Sequence, residues 1–190
     1  YVLLREKNVQ YNLRLRSPME GRHTDIEIGP LSIQVLAPHK RWAVRLGDNP
    51  QGLRCDVEFE GRVPTYLCDP RARATAEWGE VTAHGHYFQA GQFHGEVNLH
   101  GRRIDLDGFV GVRDRSWGMP GWPSGYKGLH FWFHIHFPRY TVSLFHLEMK
   151  DGTVVWSEGA IWDEQGRMNK VTSIRHRVEF LPGVRAMSAI

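Results

Sequence analysis

The run LHFWFHIHF at residues 129–137 alternates without a break: Leu129, Phe131, Phe133, Ile135 and Phe137 against His130, Trp132, His134 and His136. Successive side chains of a strand point to opposite sides of the sheet, so this run builds one apolar face and one imidazole-bearing face. The same period recurs at Leu31–Val35, Trp42–Leu46, Leu53–Phe59, Phe93–Leu99 and Ile104–Leu106, and near the end at Ile174–Phe180. Turn residues separate the runs at Gly47–Pro50, His100–Gly101, Asp151–Gly152 and Glu164–Gly166. Asp-Gly between apolar runs is a hairpin signal, because both residues tolerate positive φ. No long segment keeps a helical period free of Gly or Pro, and only Arg71–Glu77 reads as a short helical piece. Strands spaced at roughly 8–12 residues predict an all-β, antiparallel architecture of sandwich or barrel type.

Residues 118–128, GMPGWPSGYKG, hold four Gly and two Pro, a density that no regular element survives. The expected organisation is an N-terminal β unit over 1–118, a connector over 119–128 and a C-terminal β unit over 129–190. About six strands are expected before the connector and four after it. The chain has no initiating Met and stops within a strand-like run, which suggests a piece of a longer protein.

Composition excludes several classes. A chain of 190 residues can bury a core without disulfides or structural metal. Its 24 basic and 21 acidic residues are scattered, and the net charge of +3 gives no phosphate-binding footprint, so no nucleic-acid partner is expected. No stretch approaches the ~18 apolar residues of a membrane span. Cys55 and Cys68 are too few for a disulfide framework or a four-ligand zinc site, and read as thiols of a reducing compartment, the bacterial cytoplasm.

Three groups of residues could carry chemistry. The first is Gly111-Val112-Arg113-Asp114-Arg115-Ser116-Trp117-Gly118. Flanking Arg side chains keep an Asp ionised unless burial opposes them, and the plain reading is a strand-end plug of Arg–Asp pairs and a Trp. The second is His134 and His136, side by side on one strand face, with His84 and His86 repeating the spacing. Two imidazoles so placed could hold a metal if Glu148, Glu158 or His146 supplied a third ligand; otherwise they form a half-wet sheet face or a cavity wall. The third is the tryptophan set Trp42, Trp78, Trp117, Trp122, Trp132, Trp156 and Trp162, which can line an apolar pocket or simply fill the core. The chain has no GxSxG, Walker loop, GxGxxG after a strand, HExxH or CxxC.

The stretch His86–Gly118, HYFQAGQFHGEVNLHGRRIDLDGFVGVRDRSWG, resembles the centre of the carotenoid 1,2-hydratase (hydroxyneurosporene synthase) and AttH-like superfamily. Gly95-Glu96-Val97 matches the first part of the family pattern, and the Arg113–Gly118 segment matches its RDHSWG-like part. Arg115 stands where the family commonly has His, which removes a side chain that would assist a proton relay. The resemblance implies two packed lipocalin-like barrels and chemistry on apolar, polyunsaturated substrates without metal or organic cofactor. It puts Asp114 and Trp117 at family positions. With His134 and His136 these make the candidate catalytic set, and Tyr87, His86, Trp132 and Trp156 the candidate substrate wall. The implied partner is a hydrophobic small molecule, with self-association left open. Three readings follow: a cofactor-independent hydratase, isomerase or cyclase of an isoprenoid or polyene; a carrier of a hydrophobic molecule; or a metal-dependent β-barrel enzyme using His134 and His136.

Overall fold

The computed structural model describes residues 2–18, 24–68, 84–118, 128–180 and 187–188, and every ordered element in it is a strand. A hairpin of β1 (Val2–Glu6) and β2 (Val9–Leu13) comes first. An eight-stranded sheet follows: β3 (Asp25–Ile28), β4 (Leu31–Ala37), β5 (Arg41–Leu46), β6 (Leu53–Gly61), β7 (Tyr66–Leu67), β8 (His84–Leu99), β9 (Arg102–Asp105) and β10 (Phe109–Gly118). Its spatial order is β10-β8-β6-β5-β4-β3, with β7 and β9 also paired to β8. A second sheet of four strands runs in chain order: β11 (Gly128–His136), β12 (Tyr140–Met149), β13 (Val154–Asp163) and β14 (Met168–Lys170). A short ladder of β15 (Glu179–Phe180) and β16 (Met187–Ser188) ends the described chain. All pairings are antiparallel.

The alternating runs become strands because each buries one face. On the first sheet, Leu31, Ile33, Val35, Trp42, Val44, Leu46, Leu53, Cys55, Val57, Phe59 and Phe93 share the concave side by register. Arg45, Asp56 and Glu58 take the other side, where Arg45 and Asp56 pair across strands. The β1–β2 hairpin closes one end of the concave side, packing Val2, Leu4, Tyr11 and Leu13 against Leu31, Leu46, Leu53 and Leu99. Strand β8 spans both jobs of the sheet. It pairs with β10 up to Phe93 and with β9 from Glu96, and Gly95 between them sits at φ +100°. A Cβ there would meet the Asp56 carbonyl oxygen at 2.3 Å, so the bend demands glycine.

The convex side of β8 carries a second core. Phe88 and Ala90 pack with Tyr66, Val63 and Cys68 against Phe145, Leu147, Val155, Trp156, Ala160 and Trp162 of the second sheet. Tyr66 stacks on Phe88 at 5.0 Å and meets Trp162 edge-on at 6.2 Å. One core is therefore shared by the two sheets.

Three expectations change. The first sheet curls but does not close into a barrel. Closure needs its edge strands to hydrogen-bond, and β3 and β10 instead stand on opposite sides of an apolar cleft. Residues 171–178 are irregular although their alternation predicts a strand; alternation without a neighbouring strand leaves only β15. The described residues also hold ten strands before the expected connector and six after it, more than about six and four, because short strands such as β7, β14 and β16 carry too few residues for a period to show. The expected helical piece at 71–77 and most of the connector, 119–127, lie outside the described residues.

Candidate functional site

Strand β10 sends the Arg113–Trp117 segment alternately to the two sides of the first sheet. Arg113, Arg115 and Trp117 lie opposite Gln89, Tyr87 and Gly85, on the concave side. Asp114 and Ser116 lie opposite Phe88 and His86, toward the second sheet. One short motif thus contributes to two different environments.

On the concave side is a cleft of about 440 Å³. Ile26, Ile33, Val35, Trp42, Val44, Phe59 and Phe93 make its apolar wall, and Val112, Arg113, Asp114 and Arg115 line it from β10. Arg113 supplies the charge. Its guanidinium lies 3.8 Å over the Trp42 ring and 4.6 Å from the Tyr87 ring centre, and Nη2 donates to the Tyr87 hydroxyl. Nη1 is buried with no acceptor among the described residues. Burial lowers the Arg113 pKa against the attraction of Tyr87 and Asp114. Trp117 lies flat on Gly85, where a Cβ would approach the indole to 2.2 Å, and its ring meets Tyr87 at 5.7 Å. A larger cleft of about 800 Å³ opens between the turns at 38–40, 60–65 and 164–166. Its walls mix Lys40, Glu60, Arg62 and Glu164 with Pro38, Val63, Pro64, Leu67 and Tyr87, so charge of both signs interrupts its apolar surface.

On the opposite side, His86 is buried, 6% exposed, with Nε2 3.3 Å from Asp114 Oδ1 and Nδ1 2.7 Å from Ser116 Oγ. Burial raises the Asp114 pKa and outweighs the Arg115 backbone amide and the Arg113 charge that favour its ionised form. Burial is the influence that sequence alone left open, and here it wins. Across the shared core, His134 hydrogen-bonds through Nδ1 to Ser143 Oγ at 2.9 Å and meets Phe88 edge-on at 5.3 Å. Its pKa is lowered to about 4, first by burial and then by His136 and His86, so the ring is neutral at pH 7. Burial likewise lowers His136, with Arg62 adding to it and the Gly111 backbone opposing. His130 is lowered by burial alone. Trp156 donates its indole N–H to Glu158 Oε2 at 3.0 Å, and Tyr66 its hydroxyl to Oε1 at 3.4 Å.

The residues singled out from sequence therefore separate. His86, Asp114, His134 and Trp156 meet at the packed contact of the two sheets, with His86 5.9 Å from the Trp156 ring and Trp132 5.0 Å from His134. Tyr87 and Trp117 belong to the concave side with Arg113. Arg113 and Trp42 as a stacked pair escaped sequence reasoning; an Arg on the alternate position to Asp114 was the one available signal. His134 and His136 gather no third metal ligand among the described residues, whereas His146, Glu148 and His176 converge elsewhere. His84 reaches the described chain only as backbone, and Trp78 and Trp122 lie outside it. Cys55 and Cys68 are thiols, the first half-buried and the second buried.

A family model covering residues 3–190 matches the chain. The chain belongs to the DUF8625 family of unknown function. No curated protein matches it. This DUF8625 chain also resembles the crystal structure of an AttH candidate from Nitrosomonas europaea, with TM-score 0.58 and 18% identity, over 87% of this chain and 52% of that one. The DUF8625 chain thus spans about half the length of that protein, and the likeness is one of fold. It supports an AttH-like all-β architecture and carries nothing about carotenoid chemistry. Among the described residues no helix is long and apolar enough to cross a membrane.

Proposed function

We propose that the protein binds an elongated apolar molecule bearing an acidic group, seated in the concave cleft of the first sheet with its acid on Arg113. The observation that carries this reading is the Arg113 guanidinium, stacked on Trp42 and Tyr87 in the wall of an apolar cleft, with Nη1 lacking an acceptor among the described residues. A buried donor without an acceptor costs about 1–3 kcal/mol, and a carboxylate returns that energy through a charge-assisted bond. The stacked aromatic faces hold the cation in place, so little side-chain entropy is lost when the ligand arrives. Ile33, Val35, Val44, Phe59 and Phe93 supply the apolar burial. This reading needs neither metal nor organic cofactor. The test is fluorescence titration with a conjugated polyene fatty acid and its methyl ester. Saturable binding of the acid, at least tenfold tighter than the ester, supports the reading; equal affinities, or no saturable binding of either, would remove it.

A second reading, proton transfer to an alkene, rests on Asp114. Burial favours its protonated form, and His86 touches the same carboxyl group. In a hydration the acid gives its proton to one alkene carbon, water adds to the other, and the added water returns a proton to the carboxylate. The Asp114 side chain is 35% exposed at the edge strand, on the opposite side of β10 from the Arg113 guanidinium, so a substrate must fold over that edge to reach it. Conversion of a polyene to its hydrate, lost in Asp114→Asn while binding persists, is the result that would favour this reading over the carrier.

A further inference from the structure

The outer side of the second sheet carries a cluster independent of both the cleft and the shared core. His146 and Glu148 are alternate residues of β12, with a register shift against β13 between Leu147 and Glu148. His176 arrives from the irregular segment that follows β14. We propose that His146, Glu148 and His176 form a binding site for one divalent transition metal of the zinc class.

The three donor atoms already converge. Glu148 Oε2 lies 3.2 Å from His146 Nε2 and 2.8 Å from His176 Nε2, and all three atoms fall within 4.8 Å of one another. A tetrahedral ion with arms of about 2.0–2.1 Å needs donors roughly 3.3 Å apart, so modest side-chain movement admits it. Two His nitrogens and one carboxylate oxygen are a known zinc donor set that leaves a fourth position for a water or other ligand.

The surroundings suit the same task. Ser157 stands directly opposite His146 on β13, and its Oγ is 3.2 Å from Nδ1. When Nδ1 carries the proton and donates to that hydroxyl, Nε2 presents its lone pair toward Glu148, the orientation that second-layer partners give metal-binding imidazoles. That tautomer faces lone pair to lone pair in the absence of a cation, and a metal resolves the conflict. Phe131 packs edge-on against His176 at 5.0 Å and stacks near His146 at 6.4 Å, making a rigid apolar side to the site. His146 is 1% exposed, which fixes one ligand firmly. Beside Glu148 and His176 opens a cleft of about 450 Å³ that also touches Gly128, Leu129, Met149, Lys150 and Val178. Lys150 on that wall repels a bare cation at long range but favours an anionic fourth ligand once the ion is seated.

The experiment uses the full chain, free of affinity tags and stripped with a chelator, titrated calorimetrically with Zn²⁺ and by visible absorption with Co²⁺. The expected result is one equivalent of Zn²⁺ and the intensified absorption of four-coordinate Co²⁺. His176→Ala and Glu148→Gln, both at accessible positions, should each weaken Zn²⁺ binding about 100-fold or more, beyond the 10–100-fold typical of outer-layer losses, and Ser157→Ala by about tenfold. His134→Asn should leave it unchanged. Circular dichroism on each stripped variant separates loss of ligand from loss of fold. Absence of one-to-one binding, or wild-type affinity retained in His176→Ala and Glu148→Gln, overturns the proposal and leaves the cluster a hydrogen-bond network. None of these outcomes bears on ligand binding at Arg113.

Discussion

The two sides of strand β10 differ more than its sequence suggests. On the concave side, Arg113 keeps its charge among apolar side chains by lying on two aromatic faces beside open space. On the other side, His86 is buried against Phe88, Phe145 and Trp156, Asp114 touches it from the part-exposed edge strand, and burial pushes the carboxyl toward its neutral form. The same alternation that makes a strand thus separates a cation on the cleft from an acid–imidazole pair whose imidazole is buried and whose acid lies at the sheet edge. A buried polar pair serves the fold when it is surrounded by protein, and serves chemistry only when a substrate can touch it. The comparison also bears on the absence of His at 115. A side chain there points to the concave side, away from Asp114, and His86 on β8 supplies an imidazole to Asp114 instead.

Four substitutions test this division. The largest effect is expected from Phe88→Ala, which opens the core between the sheets at a fully buried ring. It should cost about 3–5 kcal/mol in urea unfolding. A loss under 1 kcal/mol would mean that the sheets do not share a packed core. Next, Arg113→Met keeps the bulk over Trp42 but removes the charge. It should weaken the polyene acid by about 1.5–3 kcal/mol while leaving the methyl ester unaffected. A third effect concerns acid. The folded-state pKa of His134 lies near 4, below 6.5, so between those values the unfolded chain holds more protons. Stability should fall as pH drops from 6.5 to 4 and change no further from this group below that. His134→Asn, which can keep the bond to Ser143, should flatten the fall by about 1–2 kcal/mol, allowing for partial solvent access. The smallest effect is Asp114→Asn on ligand affinity, expected within about 0.5 kcal/mol because the carboxyl is on the far side of β10.

Much of the fold was legible because alternation is a local signal. The runs at 31–35, 42–46, 53–59, 93–99 and 129–137 all became strands, and Gly101, Gly152 and Gly166 hold the positive φ that their turns require. Closure was not legible. Whether β3 reaches β10 depends on curvature and on partners beyond a strand's own residues. The run 174–180 shows the same limit, since a strand pattern needs a neighbouring edge to become a strand. For the site, sequence brought forward Asp114, His86 and His134, which the fold gathers near the contact of the two sheets, and alternation could have put Asp114 and Arg113 on opposite sides. It could not say which side is open. Nor could it join His176 to His146 and Glu148, because a contact 28 residues distant through an irregular segment leaves no periodic trace.

The most direct test is methyl-resolved nuclear magnetic resonance of the chain titrated with the polyene acid. Shifts confined to Ile26, Ile33, Val35 and Val44, with Leu147, Val155 and Ala160 unmoved, are the predicted result. Shifts centred on the second group would place the ligand between the sheets and contradict the account.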